Sequence, residues 1–231
     1  MKQEHVLIGR IPAILWGTSG EGLYLYVHGQ NGRKEEAERF AGIAAPRGWQ
    51  VLSLDLPGHG ERAAEADAFV PWRVVPELKR TLDWARTRQP RVALRADSIG
   101  AWFSLLSFPE ASLERCLFVS PVLDMERLIR DMMGWAGVTE AQLEREKRIP
   151  TAFGQTLSWE YLSYARSHPV CLWPWPTAIL YAGGDGMTRR ETVDRFTAQF
   201  GCDLAVLESG EHWFHTPSQL AFLDRWTSEQ I

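Results

Sequence analysis

Three residue types that together can carry out acyl transfer fall at punctuated points of this chain. They are Ser98 in Ala96-Asp97-Ser98-Ile99-Gly100, Asp185 in Gly183-Gly184-Asp185-Gly186, and His212 in Gly210-Glu211-His212-Trp213. A serine hydroxyl is a weak nucleophile unless a base takes its proton and the backbone holds it in place. A tight strand-to-helix turn holds it clear of the sheet and sets the first N–H groups of the helix beside it. Ala96 and Gly100, two residues to either side of Ser98, are small enough for such a turn. The same pentapeptide equally fits a serine that only N-caps a helix. What separates the readings is whether an acid, a histidine and an oxyanion-binding loop reach the same place in the fold.

The apolar patterning supplies the elements. Val6-Leu7-Ile8 and Ile11 to Trp16 read as antiparallel strands at a sheet edge, broken from the next strand by Gly17 to Gly22. Leu23 to Val27, Gln50 to Leu56, Arg91 to Ala96, Cys116 to Val122, Thr177 to Tyr181 and Cys202 to Leu207 are short runs suited to buried parallel strands. Helices are predicted from about Arg33 to Gly48, Pro71 to Gln89, Gly100 onward, and Pro217 to Ser228. Strands alternating with helices make right-handed crossovers and a mostly parallel, doubly wound α/β sheet. Ligand sites in such sheets form beyond the carboxyl ends of the strands. Just past those ends lie His28-Gly29-Gln30, Asp55, Ser98, Asp124, Asp185 and His212.

One interval is too long for a simple crossover. Over fifty residues separate Val122 from Thr177, and Asp124 to Trp135, Thr139 to Arg148 and Leu157 to His168 each carry helical spacing. The expected organisation is a core of residues 1–123 and 177–231, with residues 124–176 as an inserted helical cap.

Composition narrows the function classes. At 231 residues, 45% hydrophobic and 23% charged, the chain matches a soluble globular domain. A net charge of −4 argues against nucleic acid as a partner, because no basic stripe is available for phosphates. No apolar run approaches the ~18 residues of a membrane span, and the first residues lack a signal-peptide pattern. Cys116, Cys171 and Cys202 show no metal-type spacing and read as reduced cysteines of a cytoplasmic protein. No metal cluster, phosphate loop or dinucleotide fingerprint is present in the sequence, so the expected chemistry needs no cofactor beyond water. Trp is unusually frequent at 11, and several fall between Trp135 and Trp175, where core packing competes with a pocket-lining role.

Taken together, the alternation of elements with His28-Gly29-Gln30-Asn31-Gly32, Asp55-Leu56-Pro57-Gly58-His59-Gly60, the Ser98 pentapeptide, Gly184-Asp185 and Gly210-Glu211-His212-Trp213 resembles the α/β-hydrolase superfamily. The likeness spans essentially the whole chain outside the insertion. It departs in one place: the nucleophile motif of that superfamily usually begins with Gly, where this chain has Ala96. The resemblance implies Ser98 as nucleophile, His212 as general base and then general acid, and Asp185 as the residue that orients His212. It implies an oxyanion hole made by the backbone amides of Gln30 and Ile99. Asp124 is an alternative acid, since it too follows a strand. Asp97 is expected to point away from Ser98 in a structural role, His28 to brace the oxyanion loop, and Thr216 or His215 to cap the last helix. Trp135, Trp159 and Tyr161 are candidates for the substrate pocket.

The function so implied is a serine hydrolase acting on a small-molecule carboxylic ester, thioester or amide through an acyl-enzyme. Peptidase action on short peptides and carbon–carbon hydrolysis use the same triad and stay open. A non-catalytic binder of the same fold would lack one member of the triad, and all three are present here.

Overall fold

A computed structural model describes residues 1–18 and 20–231; Ser19, in the predicted Gly17–Gly22 turn, lies outside the described residues. Eight strands form one sheet: β1 (Gln3–Ile8), β2 (Ile11–Trp16), β3 (Gly22–Val27), β4 (Trp49–Leu54), β5 (Val92–Asp97), β6 (Cys116–Val119), β9 (Thr177–Ala182) and β10 (Asp203–Leu207). Their order across the sheet is β1-β2-β4-β3-β5-β6-β9-β10. β1 pairs antiparallel with β2, and β2 antiparallel with β4; every later pairing is parallel. The predicted antiparallel edge and parallel centre are therefore both present. β3, β5 and β6 are buried along nearly their whole length because helices cover both faces, and β3 and β6 are apolar while β5 carries Arg95 and Asp97.

One face carries α1 (Ala37–Ala44) and α8 (Pro217–Gln230), with Phe40 and Trp226 packed on Tyr24, Tyr26 and Leu180. The other carries α2 (Pro71–Arg88), α3 (Ile99–Ser107) and α7 (Arg190–Phe200), packed through Leu78, Leu82, Trp102, Phe103, Val193 and Phe196. The helix predicted over Arg33–Gly48 is broken into a 3-10 turn at Lys34–Glu36, α1, and a second 3-10 turn at Ala45–Arg47. Pro46 and the left-handed Gly48 (φ 81°) end it.

The interval between β6 and β9 contains α4 (Met125–Ala136), α5 (Glu140–Glu146) and α6 (Trp159–Ser167), as the periodicity predicts. It is not all helical. β7 (Arg148–Pro150) and β8 (Thr156–Ser158) form an antiparallel hairpin between α5 and α6, on residues read in part as helix. Three-residue strands give too little alternation to be seen in sequence. Thr151 closes the turn, donating its N–H (2.9 Å) and hydroxyl (2.6 Å) to the Gln155 carbonyl. The insertion does not pack apart from the sheet. Leu128, Ile129, Met133, Leu143, Leu157, Leu162 and Trp173 belong to the same apolar cluster as β5 and α3.

Under the loops at the carboxyl edge of the sheet lies a buried ion pair. Lys34 Nζ donates to Asp55 Oδ2 at 2.7 Å, and both side chains are almost entirely enclosed. The Lys34 amide reaches Asp55 Oδ1 at 2.9 Å and the Glu61 amide reaches Oδ2 at 3.0 Å. Burial alone would raise the Asp55 carboxyl, but these donors outweigh it and hold its pKa below the usual value. Burial would likewise depress the Lys34 ammonium, and the carboxylates of Asp55, Glu61 and Glu35 instead hold it above the usual lysine range. Gly60 makes room for this: at φ 52° a Cβ there would sit 2.3 Å from the Asp55 carboxylate. Removing one member of a buried pair strands the other, so Asp55→Ala is expected to cost about 3–5 kcal/mol in urea denaturation. A loss under 1 kcal/mol would show that the pair is not structurally important.

Candidate active site

Ser98 is the single residue between β5 and α3, with φ 52° and ψ −124°. A non-glycine residue in this region costs on the order of 1–3 kcal/mol and persists only when its surroundings hold it. Here they do. The Ser98 amide donates to the Val119 carbonyl at 3.0 Å, and the Ser98 carbonyl accepts from Val122 at 3.0 Å and Ala101 at 3.1 Å. Gly100 is needed where α3 meets the end of β3, because a Cβ there would lie 2.6 Å from the carbonyl oxygens of Val27 and His28. Ala96 is fully buried and the turn accommodates it. The Ser98 side chain makes no capping bond to α3. Its Oγ instead lies 2.8 Å from His212 Nε2.

His212 follows β10, and its Nδ1 lies 2.8 Å from Asp185 Oδ2. The Asp185 carboxylate is fully buried and its other oxygen accepts the amides of Met187 (2.7 Å) and Thr188 (3.1 Å). An ionised carboxylate only accepts, so it places the imidazole proton on Nδ1 and leaves Nε2 free to accept from Ser98. The two loops are tied together: the Gly184 amide donates to the Gly210 carbonyl at 2.8 Å, and a Cβ at Gly184 would lie 2.9 Å from that carbonyl oxygen. Asp124 is elsewhere. It N-caps α4 by accepting the Arg127 amide at 3.0 Å, and it pairs with Arg195 at 3.0 Å.

Gly29 abuts the serine, where a Cβ would meet Ser98 Cβ at 3.0 Å. The neighbouring Gln30 amide has no acceptor among the described residues, and the Ile99 amide opens α3, where a helix N–H has no intrahelical partner. Two histidines pin this loop from below. His28 is fully buried; its Nδ1 donates to the Gly29 carbonyl at 2.7 Å and its Nε2 accepts the Leu56 amide at 3.1 Å. His59 Nε2 accepts the Asn31 amide at 2.9 Å, while its Nδ1 donates to the Pro57 carbonyl at 2.8 Å. Burial pushes the His28 imidazole down to about 4, against the upward pull of its bond to Gly29. It is therefore neutral near pH 7.

The other residues singled out in sequence are distributed as follows. Asp97 turns from Ser98 and accepts from Tyr26 Oη and Arg95 Nε, each at 2.7 Å. Thr216, and not His215, caps α8, accepting the Gln219 amide. Tyr161 is half-buried between Trp102 of α3 and Trp72 of α2, and its enclosed hydroxyl has no partner among the described residues. Trp159 is half-buried beside Lys147. Trp135 is exposed at the end of α4 and meets Phe153 edge-on. Gln30 Nε2 donates to Gln155 Oε1 of the hairpin at 3.2 Å, a link that no sequence pattern suggests. Two clefts of about 240 Å³ each line other parts of the surface and include none of Ser98, Gln30, Asp185 or His212. The hydrogen-bond geometry, not cavity depth, singles out the site.

No protein-family model and no curated protein sequence matches the chain. Its architecture does match solved structures. Est1E from Butyrivibrio proteoclasticus, bound to ferulic acid, aligns with a TM-score of 0.80 at 16% identity, over 98% of this chain and 97% of that one. A putative hydrolase from Agrobacterium vitis S4 aligns at 0.79 and 15% identity, over 100% and 98%. Alpha/beta hydrolase domain-containing protein 10 from mouse aligns at 0.78 and 12%, over 100% and 98%. The chain has the α/β-hydrolase fold.

The pH response of the loop support follows from His28. The unfolded chain protonates this ring near 6.5 and the folded protein near 4, so its stabilising contribution is present above pH 6.5 and lost as pH falls toward 4. The stability gap between the wild-type protein and His28→Gln is expected to shrink by about 2–3 kcal/mol between pH 7.5 and pH 4.5. Guanidinium titrations at the two pH values measure it. A gap independent of pH would mean that His28 is not held neutral.

Proposed function

We propose that this chain is a serine hydrolase that cleaves a small carboxylic ester, or the related thioester, through an acyl-enzyme. The observation that carries the reading is the continuous hydrogen-bonded line Asp185–His212–Ser98, with 2.8 Å at both joints. His212 Nε2 takes the Ser98 proton as Oγ attacks the substrate carbonyl. The carbonyl oxygen gains negative charge and is held by the Gln30 and Ile99 amides, which suit the role because they are free and adjacent to Ser98. His212 then passes the proton to the leaving alcohol or thiol, and the C–O or C–S bond breaks. Water, deprotonated by His212, attacks the acyl-serine and restores the hydroxyl. Asp185 stays ionised throughout and stabilises the transient imidazolium.

We further propose that the insertion forms a cap over Ser98, with Tyr161, Trp159 and Trp135 shaping the acyl or alcohol pocket. An esterase from Pyrococcus furiosus and a thioesterase domain from the curacin biosynthetic pathway are among the structural neighbours and accord with acyl transfer, although fold alone does not fix a substrate.

A fluorophosphonate should modify Ser98 in the wild-type protein, as located by mass spectrometry, and His212→Ala should abolish the adduct. A folded protein with Ser98 unlabelled would defeat the reading. With a short-chain p-nitrophenyl ester, Asp185→Asn should lower kcat about 10³–10⁴-fold, while Asp124→Asn should leave it within about twofold, since Asp124 serves α4.

A further inference from the structure

A second polar cluster lies one residue away from Ser98, on the opposite side of β5 from α3. Tyr26 of β3 and Arg95 of β5 are register partners, and Asp97 is the next residue of β5 on the same face. The two Asp97 oxygens are divided between them: Tyr26 Oη donates to Oδ2 and Arg95 Nε to Oδ1, each at 2.7 Å. Arg95 is only 3% exposed. Its guanidinium sits 5.4 Å from the Phe40 ring and 5.9 Å from that of Trp226, and its Nη1 has no partner among the described residues. A buried ion pair that leaves a donor unsatisfied is a poor way to stabilise a sheet, since apolar side chains of similar volume would pack there at no loss. The cluster therefore calls for an explanation other than stability.

Its position offers one. On the β6 side, Ser98 is held by backbone bonds to Val119 and Val122. On the β3 side, the equivalent hold near the turn runs through the Asp97 carboxylate to Tyr26. β3 is also the strand that leads, two residues beyond Tyr26, into His28-Gly29-Gln30. A tie between Tyr26 and Asp97 thus links the base of that loop to the residue preceding Ser98. This is the junction at which Gly29 meets the serine so closely that an added Cβ would lie 3.0 Å from Ser98 Cβ.

We propose that Tyr26, Arg95 and Asp97 are positioning residues that hold Ser98 at the correct distance and angle from the Gln30 amide. This rests on the reading of Ser98 as nucleophile. The three touch no reacting atom. Arg95 fixes the orientation of the Asp97 carboxylate, and Tyr26 transmits it to the neighbouring strand. Small displacements of reacting groups cost large factors in rate, so loosening this clamp should slow the step in which Oγ attacks and leave substrate binding nearly unchanged.

Tyr26→Phe deletes one oxygen and keeps the ring; Arg95→Met removes the charge and keeps most of the volume; Arg95→Lys keeps the charge without the fork. Steady-state kinetics on a short p-nitrophenyl ester, the rate of fluorophosphonate labelling and thermal unfolding are measured for each. Tyr26→Phe is expected to lower kcat about tenfold with KM within about twofold, and the labelling rate should fall in proportion. Arg95→Met should lower kcat at least as far and also lower the melting temperature, because it leaves the Asp97 carboxylate without its ion-pair partner, and Arg95→Lys should recover part of both losses. Wild-type labelling at Ser98 with unchanged kcat and labelling rate in folded Tyr26→Phe and Arg95→Met would overturn the inference and leave the parent reading standing. A wild-type protein that takes no label would overturn both.

Discussion

The structure depends on one strained residue. Ser98 adopts a backbone conformation that its side chain disfavours, and the chain around it is arranged so that relaxation is blocked. Val119 at the end of β6 and Val122 just beyond it bond its amide and carbonyl. Gly100 lets α3 press against the last carbonyls of β3, and Gly29 lets the next loop press against the serine itself. The strain directs the Oγ out of the helix-capping position that serine ordinarily takes and leaves it facing His212. A relaxed turn would be more comfortable and would present a capping hydroxyl.

The second requirement is polar support in places where water is excluded. His28 and His59 couple the Gly29–Asn31 loop to the Leu56–Pro57 loop, each through both ring nitrogens. Neutral imidazole suits this because it satisfies a buried N–H and a buried C=O at once. Lys34 and Asp55 do comparable work with formal charges, and the extra backbone amides on the Asp55 carboxylate keep that pair supplied with partners. The loops at this edge are therefore held by side chains drawn from other loops as well as by their own turns.

Much of this was legible in the amino-acid sequence. Apolar runs of four to six residues separated by helical spacing identify the sheet, and the structure brings Ser98, Asp185 and His212, singled out by short glycine-rich motifs at the strand exits, within hydrogen-bond reach of one another. The fold reading rests on local requirements: a tight turn needs small residues and a buried strand needs apolar ones. What escaped notice depends on pairing across space. Nothing near Lys34 marks it as buried among three exposed-looking charges, and Arg95 looks like any polar interruption of a strand. The β7–β8 hairpin is too short for its alternation to register, and its flanks carry helix-forming residues. The Gln30–Gln155 contact joins positions 125 residues apart. Asp124 and Asp185 both follow strands and look alike in sequence; in the structure Asp185 meets His212, while Asp124 caps α4.

The insertion shares its apolar side chains with α3 and the sheet, and this has a bearing on how the chain folds and evolves. Trp102, one turn along α3 from Ser98, is covered in part by Tyr161 of α6. Leu128, Met133 and Leu162 complete the same cluster. A segment wired into the core in this way cannot be excised or exchanged as a module, because its removal would lay open the helix that carries the serine. Core and insertion share one apolar interior. Substitutions at the outward residues of this segment, at the hairpin tip and the free end of α4, would leave that common interior untouched.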